Sequence, residues 1–389
     1  MTRVKYHNSL ENARCVPRMV RDSANVVTDK FRFRANDYYL NLINWSNPHD
    51  PIRRVIIPHI TELDEWGNLD PSAEQTNYVA PRTQHKYHDT ALMLISDTCG
   101  GFCRYCFRKR IFIDDSEVTG DNLIAGIEYL KNNKQIRHVL LSGGDPLMLS
   151  TRRLGSIIAK IRAIDHITTI RVGTKLLAFN PYRILDNPDL PAMLGSYSTP
   201  EKRIWVIAHY NCVEEITAQS IMAVDMLLKQ GLSLSHQTPM LAGVNDSAQA
   251  MVALMNKLVS IGISPYYIFQ CRPTTGNSSF AVPITRGYRI LKQAGKHLSG
   301  LAKRGRFVMS HASGKIEIAG VDEERIYLRY HRAKNEAEDG KFIPFHRDDK
   351  ACWLDDLTPV DRNLKVGKRS PLRENTITSL PTDSTGSVN

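Results

Sequence analysis

The chain has 389 residues, 42% hydrophobic and 23% charged, so it can bury a core large enough for one big domain or for two. Its 51 Lys and Arg against 40 Asp and Glu give a net charge of +11, which favours anionic ligands and is compatible with nucleic acid. It contains neither an apolar run of about 18 residues nor a secretory signal, so we expect a cytoplasmic protein with no membrane span.

The middle of the chain alternates short apolar runs with amphipathic stretches, after an N-terminal extension at 1–88 with mixed helical and irregular signals. We predict strands over Ala91–Ser96, His138–Leu141, Thr168–Val172, Arg203–His209, Leu232–His236 and Pro265–Gln270. Helices are predicted over Asp121–Asn132, Thr151–Ile164, Glu214–Lys229 and Ser247–Ile261, with Asp246 as the N-cap of the last. Successive βα units form parallel sheets, so residues 89–300 are predicted to be a doubly wound sheet or an incomplete barrel.

A C-terminal segment at 301–366 is predicted to contain three short strands, over Arg306–Ala312, Lys315–Ile318 and Arg325–Arg332. Its aromatic and basic residues either cap a site or simply pack; they are Tyr327, Tyr330, His331 and Arg332. Residues 367–389 are rich in Ser, Thr, Pro and Gly, a composition typical of a disordered tail.

Three of the seven cysteines, Cys99, Cys103 and Cys106, lie on a C-x3-C-x2-C loop directly after the first predicted core strand. Zinc usually takes four ligands from C-x2-C pairs, and no second pair follows. Three thiolates can instead bind three irons of a [4Fe–4S] cluster, whereas electron-transfer clusters use four cysteines. The open fourth iron can be chelated by S-adenosylmethionine (SAM), which then becomes a source of the 5′-deoxyadenosyl radical.

Polar residues recur at the predicted C-terminal ends of the core strands, where parallel barrels place their sites. They are the turn Gly143-Gly144-Asp145, then His209 and Gln237. We predict SAM contacts at these positions, with the two glycines allowing close backbone approach. Each residue alone is equally compatible with an ordinary turn or a satisfied core position.

Taken together, these segments resemble the lysine 2,3-aminomutase family of radical SAM enzymes that depend on pyridoxal phosphate (PLP). The resemblance runs from about Asn36 to Lys315. Its motifs are His85-Lys86-Tyr87, the cysteine loop with Phe107-Arg108-Lys109-Arg110, Ser142-Gly143-Gly144-Asp145, Arg171-Val172-Gly173-Thr174, Gly243-Val244-Asn245-Asp246 and Pro265-Tyr266-Tyr267-Ile268-Phe269-Gln270-Cys271. It implies a partial (βα)6 barrel and an isomerase that moves an amino group between C2 and C3 of an amino acid held as a PLP aldimine.

The resemblance also implies roles for single residues. Lys315 matches the PLP-binding lysine, although the turn before it is shorter and has one glycine, Gly314, where the family has several. Arg108 matches the arginine that grips the substrate α-carboxylate. Lys86 matches a basic residue near the PLP phosphate, but a second basic position is Thr90 here. His209 and Gln237 match SAM-contacting positions.

The substrate prediction depends on Arg272. Lysine-specific members have an acidic residue at this position, and a second acidic position is Ser310 here. An ammonium facing Arg272 would meet like charge in a desolvated pocket, so a glutamate-like acidic substrate is favoured. The alternative is that Arg272 pairs with a carboxylate of the protein itself. We predict no zinc, because Ser247 occupies one of the zinc-cysteine positions of some relatives.

Three other functions remain open: action on lysine or on a protein lysine in translation-factor modification, radical SAM chemistry on RNA, and an iron–sulfur electron carrier. Arg272 argues against the first, and only the +11 charge supports the second. The third would need a fourth cluster ligand. The expected partners are a small amino acid and a reductant such as flavodoxin or ferredoxin; no nucleic-acid partner is expected, and a homo-oligomer is left open.

Overall fold

The computed structural model describes residues 4–113 and 123–361, which form a mixed α/β fold. The α-helices are α1 (Arg18–Thr28), α2 (Asp37–Leu40), α3 (Pro51–Ile56), α4 (Arg110–Ile113), α5 (Ile124–Asn132), α6 (Thr151–Arg162), α7 (Leu176–Phe179), α8 (Tyr182–Leu185), α9 (Asp189–Ser196), α10 (Ala218–Lys229), α11 (Ala248–Ser260) and α12 (Ile284–Ala294). The strands are β1 (Tyr6–His7), β2 (Ala35–Asn36), β3 (Tyr78–Ala80), β4 (Thr83–Tyr87), β5 (Thr90–Ser96), β6 (His138–Gly143), β7 (Thr169–Thr174), β8 (Ile204–Ala208), β9 (Ser233–Met240), β10 (Ser264–Gln270), β11 (Arg306–His311), β12 (Gly314–Val321), β13 (Arg325–Ala333) and β14 (Phe342–His346).

One sheet of twelve strands organises the described ranges, in the order β14-β13-β12-β11-β10-β9-β8-β7-β6-β5-β4-β3. Strands β5 to β11 are parallel to their neighbours, with helices between successive strands. Antiparallel strands extend the sheet at both ends, and it does not close on itself. The six βα units from β5 to α12 therefore confirm the predicted partial (βα)6 barrel.

Several element ends differ from the sequence prediction: the helix predicted from Glu214 begins at Ala218, and two further differences concern residues that were given a role. The strand predicted to stop at His236 continues to Met240, so Gln237 lies within β9 and not at its end. The N-cap of α11 is Ser247, whose hydroxyl accepts a hydrogen bond from the Ala250 amide at 3.1 Å, whereas Asp246 accepts one from Gly243. Both residues are good N-caps, and the helix begins one residue later than the Asp246 interpretation requires.

The inner face of the barrel is less buried than its outer face. On β6, Val139 and Leu141 are fully buried beneath the helices, while the alternating residues Leu140 and Ser142 are half-exposed. Strand β7 repeats the pattern, with the half-exposed Arg171 on the inner face. Closed (βα)8 barrels fill this space with side chains. Here the lumen is accessible, so a ligand can reach the inward residues.

The two ends of the open sheet approach each other along what we call the seam, formed by Lys86, Asp89, His311 and Arg332. The Lys86 ammonium donates a hydrogen bond to the His311 carbonyl, which links β4 to β11. Arg332 on β13 forms an ion pair with Asp89, which lies in the turn between β4 and β5. The seam therefore brings residues from both halves of the chain to one place.

The predicted N-terminal extension packs against the barrel and supplies β3 and β4 to the same sheet. Core residues of the extension, such as Tyr39 and Ile56, belong to the same buried cluster as those of the barrel. The boundaries at 88 and 300 stay predictions. The predicted disordered tail lies outside the described residues. Among the described helices, none has the length and apolarity needed to cross a membrane.

Candidate active site

The cysteine loop follows β5 and is fixed by the N-terminal extension. The Arg34 side chain donates a hydrogen bond to the Cys99 carbonyl at 2.8 Å. Arg104, between the second and third cysteines, donates to both oxygens of Glu62, with Nε–Oε1 and Nη2–Oε2 distances of 2.8 Å. This ion pair is almost fully buried, with 3% of the Arg104 side chain and 1% of the Glu62 side chain exposed. Because a buried pair is costly to break, it holds the loop in one conformation.

The three thiols of the loop have similar surroundings. Burial raises the pKa of Cys99, Cys103 and Cys106, that of Cys103 to about 12, and a nearby cation opposes the rise at each. The cation is Arg34 beside Cys99, Lys175 beside Cys103 and Arg108 beside Cys106. Iron-bound cysteines are thiolates, so a cation beside each suits an anionic cluster.

Within 4–113 and 123–361, no three His, Cys, Asp or Glu side chains converge closely enough to share one metal ion. A cubane makes a different demand, because each of its cysteines binds a separate iron. The three cysteines of the loop can therefore serve a cluster without converging on a single ion.

The turn after β6 packs directly on the cysteine loop. Gly143 has a φ of 128°, and a Cβ there would lie 2.2 Å from the Ser96 carbonyl oxygen. At Gly144 a Cβ would lie 2.5 Å from the Thr98 carbonyl oxygen. The Asp145 carboxylate accepts hydrogen bonds from the amides of Leu147 and Lys175 and from the Thr174 hydroxyl. Both glycines thus permit close approach of protein backbone, and a SAM contact at this turn stays a prediction.

His209 directly follows β8, at the edge of a buried polar network. Its Nε2 lies 3.1 Å from the Tyr105 hydroxyl, which donates to Asn211 Oδ1 at 2.6 Å. Burial, with a contribution from the Lys175 charge, holds the pKa of His209 well below 6.5, so the imidazole is neutral. Gln237 is half-exposed and pairs with Tyr267 in the β9–β10 register. Both side chains therefore belong to the lumen region.

Lys315 is the second residue of β12. Its Nζ lies 3.9 Å from the centroid of the Tyr267 ring and 5.6 Å from that of Phe269. Burial, followed by repulsion from neighbouring cations, holds its pKa well below 10.5. Those neighbours are Arg171, Arg332, Lys86 and Arg272. Both effects favour the neutral amine over the ammonium, and the neutral amine is the form that attacks a carbonyl.

We call the set formed by Lys86, Arg108, Arg171, Arg272, Lys315 and Arg332 the cation pocket. Arg108 and Arg272 meet on the ring of Phe107, with guanidinium carbons 4.7 Å and 3.6 Å from its centroid. On the ring of Tyr87, the corresponding distances are 4.7 Å for Arg332 and 5.6 Å for the Lys86 ammonium. Aromatic faces stabilise cations held in low dielectric, so they help the pocket to tolerate its charge.

Glu74 provides a carboxylate between these arginines. It lies in the 3-10 helix Glu74–Asn77 and accepts hydrogen bonds from Arg108 Nε at 3.1 Å and Arg108 Nη2 at 3.0 Å. Arg110 Nη2 donates a third at 2.9 Å. Although burial raises the pKa of Glu74, Arg108 and Arg272 lower it more, so it stays ionised. Arg108 also donates to the Ser142 hydroxyl at 2.9 Å.

Arg272 lies close to the same carboxylate but is less fully paired. Its Nη1 is 3.8 Å from Glu74 Oε1 and, among the described residues, is buried without a hydrogen-bond partner. The sequence left open that Arg272 pairs with a carboxylate of the protein itself. Glu74 is such a carboxylate, and it forms an ion pair with Arg272 without a hydrogen bond. Buried donors usually find acceptors, so Arg272 retains capacity for a ligand oxygen.

The structure adds residues that the sequence did not single out for the site. Glu74 comes from an irregular segment of the extension, and no local pattern indicates its contact with residues 108 and 272. Arg171 and Tyr267 lie inside recognised motifs but had no assigned role. A charged residue in the predicted strand Thr168–Val172 was a usable signal, because it indicates an inner face that is not packed with apolar side chains.

Comparisons with known proteins agree with this geometry. Residues 93–255 match the model of the radical SAM superfamily. An Aquifex aeolicus protein named "Putative L-lysine 2,3-aminomutase" is 43% identical over 364 residues, covering 93% of this chain and 97% of that protein. This chain belongs to the lysine 2,3-aminomutase family.

Two different activities are named among the other relatives. The L-lysine 2,3-aminomutase of Acetoanaerobium sticklandii is 38% identical over 275 residues, and the glutamate 2,3-aminomutase of Clostridioides difficile is 33% identical over 278. The matches span 65% and 64% of the lengths of these two relatives. Membership in the lysine 2,3-aminomutase family makes the chain an isomerase and implies a [4Fe–4S] cluster, SAM and PLP as its cofactors.

Proposed function

We propose that this protein is a radical SAM 2,3-aminomutase acting on an acidic amino acid such as glutamate. Cys99, Cys103 and Cys106 would hold the cluster, and Lys315 would bind PLP. The observation that carries the proposal is the cation pocket, which surrounds Lys315 with arginines and includes Arg108 from the segment directly after the cysteine loop. Such a pocket suits a substrate and a cofactor that both bring negative charge.

Each part of the chemistry has a residue suited to it. When bound, SAM and the cluster supply a radical that removes hydrogen, and PLP supplies a conjugated ring that stabilises the substrate radical. Lys315, whose neutral form is favoured by burial and by its cationic neighbours, would provide the amine for attachment. Arg108 offers a planar fork for the substrate α-carboxylate. His209, Gln237 and the turn Gly143–Asp145 line the region where SAM would lie.

The charge balance favours a side-chain carboxylate over an ammonium. Near Arg272, the Arg108 and Arg110 guanidiniums already share the carboxylate of Glu74, and a second carboxylate that acts on Arg272, Asp70, is paired with Arg110. A substrate ammonium would add a further cation to this partly desolvated group, which is strongly unfavourable. A carboxylate would instead accept from the unpartnered Nη1 of Arg272.

Lysine is the second candidate substrate, because several relatives are named L-lysine 2,3-aminomutases. For lysine to bind, its ammonium would have to reach Glu74 and compete with the arginines already bonded there. One experiment separates the two substrates. The protein is reconstituted anaerobically with iron and sulfide, supplied with PLP, SAM and a reductant, and incubated separately with glutamate and lysine.

We expect a β-amino acid from glutamate and none from lysine. Arg272→Gln should raise the KM for glutamate about 10- to 100-fold, the usual worth of a hydrogen bond to a charged group. Arg286, paired with Asp246 on the exterior, provides the control variant Arg286→Gln, which should leave KM unchanged. Product from lysine alone would refute the substrate proposal. The absorption band of lysine-bound PLP should appear in wild type and be absent in Lys315→Ala. If wild type cleaves SAM but also lacks this band, the aminomutase proposal is refuted.

A further inference from the structure

Strand β13 contains an irregularity beside Lys315. In the β12–β13 register, Lys315 pairs with Arg332 but the next residue, Ile316, pairs with Tyr330, so His331 is an extra residue in the strand. Such a bulge changes which face the following side chains occupy, and bulges are frequent next to active sites. Here it brings both His331 and Arg332 to the side of Lys315.

The contacts of the two residues agree with this placement. His331 Nε2 lies 2.8 Å from the hydroxyl of Tyr267, whose ring lies under the Lys315 ammonium. Arg332 Nη1 donates to the Thr90 hydroxyl at 3.2 Å, and its guanidinium lies over the Tyr87 ring. Thr90 stands where the resemblance predicts a second basic residue beside Lys86. The bulge in β13 thus brings the Arg332 guanidinium to this place, where Thr90 itself offers only a hydroxyl.

We propose that Arg332 binds the phosphate of PLP, together with Lys86. The inference rests on the proposed function, in which PLP is attached to Lys315. Arg332 is the direct cross-strand neighbour of Lys315, and such neighbours lie about 5 Å apart at Cβ. A guanidinium presents a planar fork of donors to phosphate, which an ammonium cannot do.

The pairing of Arg332 with Asp89 does not exhaust its donors. That bond uses Nη2, and the Thr90 bond uses Nη1, while the guanidinium has five N–H groups in all. The Arg332 side chain is 28% exposed, so a ligand can reach it. Asp89 is the single carboxylate bonded to it among the described residues, while Arg332 acts on Lys315 together with three other cations, Arg171, Lys86 and Arg272. The balance of charge at this end of the cation pocket is positive.

The test compares PLP with pyridoxal, which has the same aldehyde and ring but no phosphate. Binding to the reconstituted full chain is measured by absorbance, and the attachment site by borohydride reduction and mass spectrometry. We expect Arg332→Met to weaken PLP binding about 10- to 100-fold and to change pyridoxal binding less than about twofold. Arg332→Lys should recover part of the PLP affinity, because it keeps the charge but not the fork.

Two controls separate a phosphate contact from a role in the seam. Asp89→Asn removes the ion pair but keeps Arg332, so PLP affinity should persist. Arg329→Met removes a guanidinium on the same strand that is paired with Glu317, and it should affect neither ligand. Equal losses of PLP and pyridoxal in Arg332→Met would overturn the inference and leave the proposed function intact. Failure of wild-type protein to attach PLP at Lys315 would overturn both.

Discussion

Replacing Glu74 with Gln removes the carboxylate that Arg108, Arg110 and Arg272 share, while keeping the size of the side chain. Glu74 accepts two hydrogen bonds from Arg108 and one from Arg110, lies 3.8 Å from Arg272, and has only 10% of its side chain exposed. Removing one partner from a buried ionic group typically costs 3–5 kcal/mol, and we take about 3 kcal/mol because the lumen admits water.

This cost corresponds to a measurable change in melting temperature. An unfolding entropy of about 2.1 cal/mol/K per residue gives about 0.8 kcal/mol/K for a chain of this length, so about 3 kcal/mol lowers Tm by about 4 °C. Anions should reverse the effect, because they supply the missing charge. Each tenfold rise in glutamate above its Kd should return about 1.4 kcal/mol.

The assay is thermal unfolding of Glu74→Gln with and without glutamate, monitored by circular dichroism. Glu62→Gln provides the matched control, since Glu62 is also buried and is bonded to two cations, Arg104 and Lys109, that are not part of the cation pocket. Both variants should be destabilised, and glutamate should raise the Tm of Glu74→Gln more than that of Glu62→Gln, which keeps the wild-type cation pocket. Equal recovery, or none in either, would refute the idea that Glu74 occupies the position of a ligand carboxylate.

Two further predictions concern pH and the cysteine loop. Burial, with repulsion from Arg272, lowers the pKa of Lys86 to about 7 from 10.5 in the unfolded chain. The unfolded state therefore binds more protons between these values, and stability should rise with pH from about 7 by up to about 1.4 kcal/mol per unit. The unfolding free energy is measured by urea denaturation at pH 7, 8 and 9. It should rise less steeply with pH in Lys86→Met than in wild type, and an identical pH dependence in the two proteins would contradict the prediction. Gly143→Ala should lower iron incorporation, because its Cβ would meet the Ser96 carbonyl at 2.2 Å. Gly231→Ala, with a φ of 73° and no atom within 4 Å, should retain its iron, and loss in both would mean that general instability is responsible.

The barrel and the cysteine loop could be predicted from the sequence because both depend on local patterns. Apolar runs of four to seven residues between amphipathic stretches are enough to locate strands β5 to β10. The pattern failed at β9, whose second half includes Gln237 and Thr238. These residues are polar because the lumen is not packed, so hydrophobicity alone ended the predicted strand too early.

The charged contacts of the site could not be predicted in the same way. Arg332 and Thr90 are 242 positions apart in sequence, and Arg108 and Glu74 are 34 apart. Nothing in the local sequence of β13 indicates the bulge at His331, which depends on pairing with β12. Long-range pairing decides which charges meet, and a single sequence holds no direct record of it.

The open sheet explains why these charges meet at all. A closed barrel joins its first and last strands by hydrogen bonds, whereas here the seam joins the two ends through side chains, Lys86 to the His311 carbonyl and Arg332 to Asp89. Side chains can exchange partners at lower cost than a strand ladder can, because their exposed donors are not fixed by the backbone. An anion that binds between Lys86 and Arg332 would therefore contact both ends of the sheet. Its binding free energy would stabilise the arrangement in which the two ends lie together.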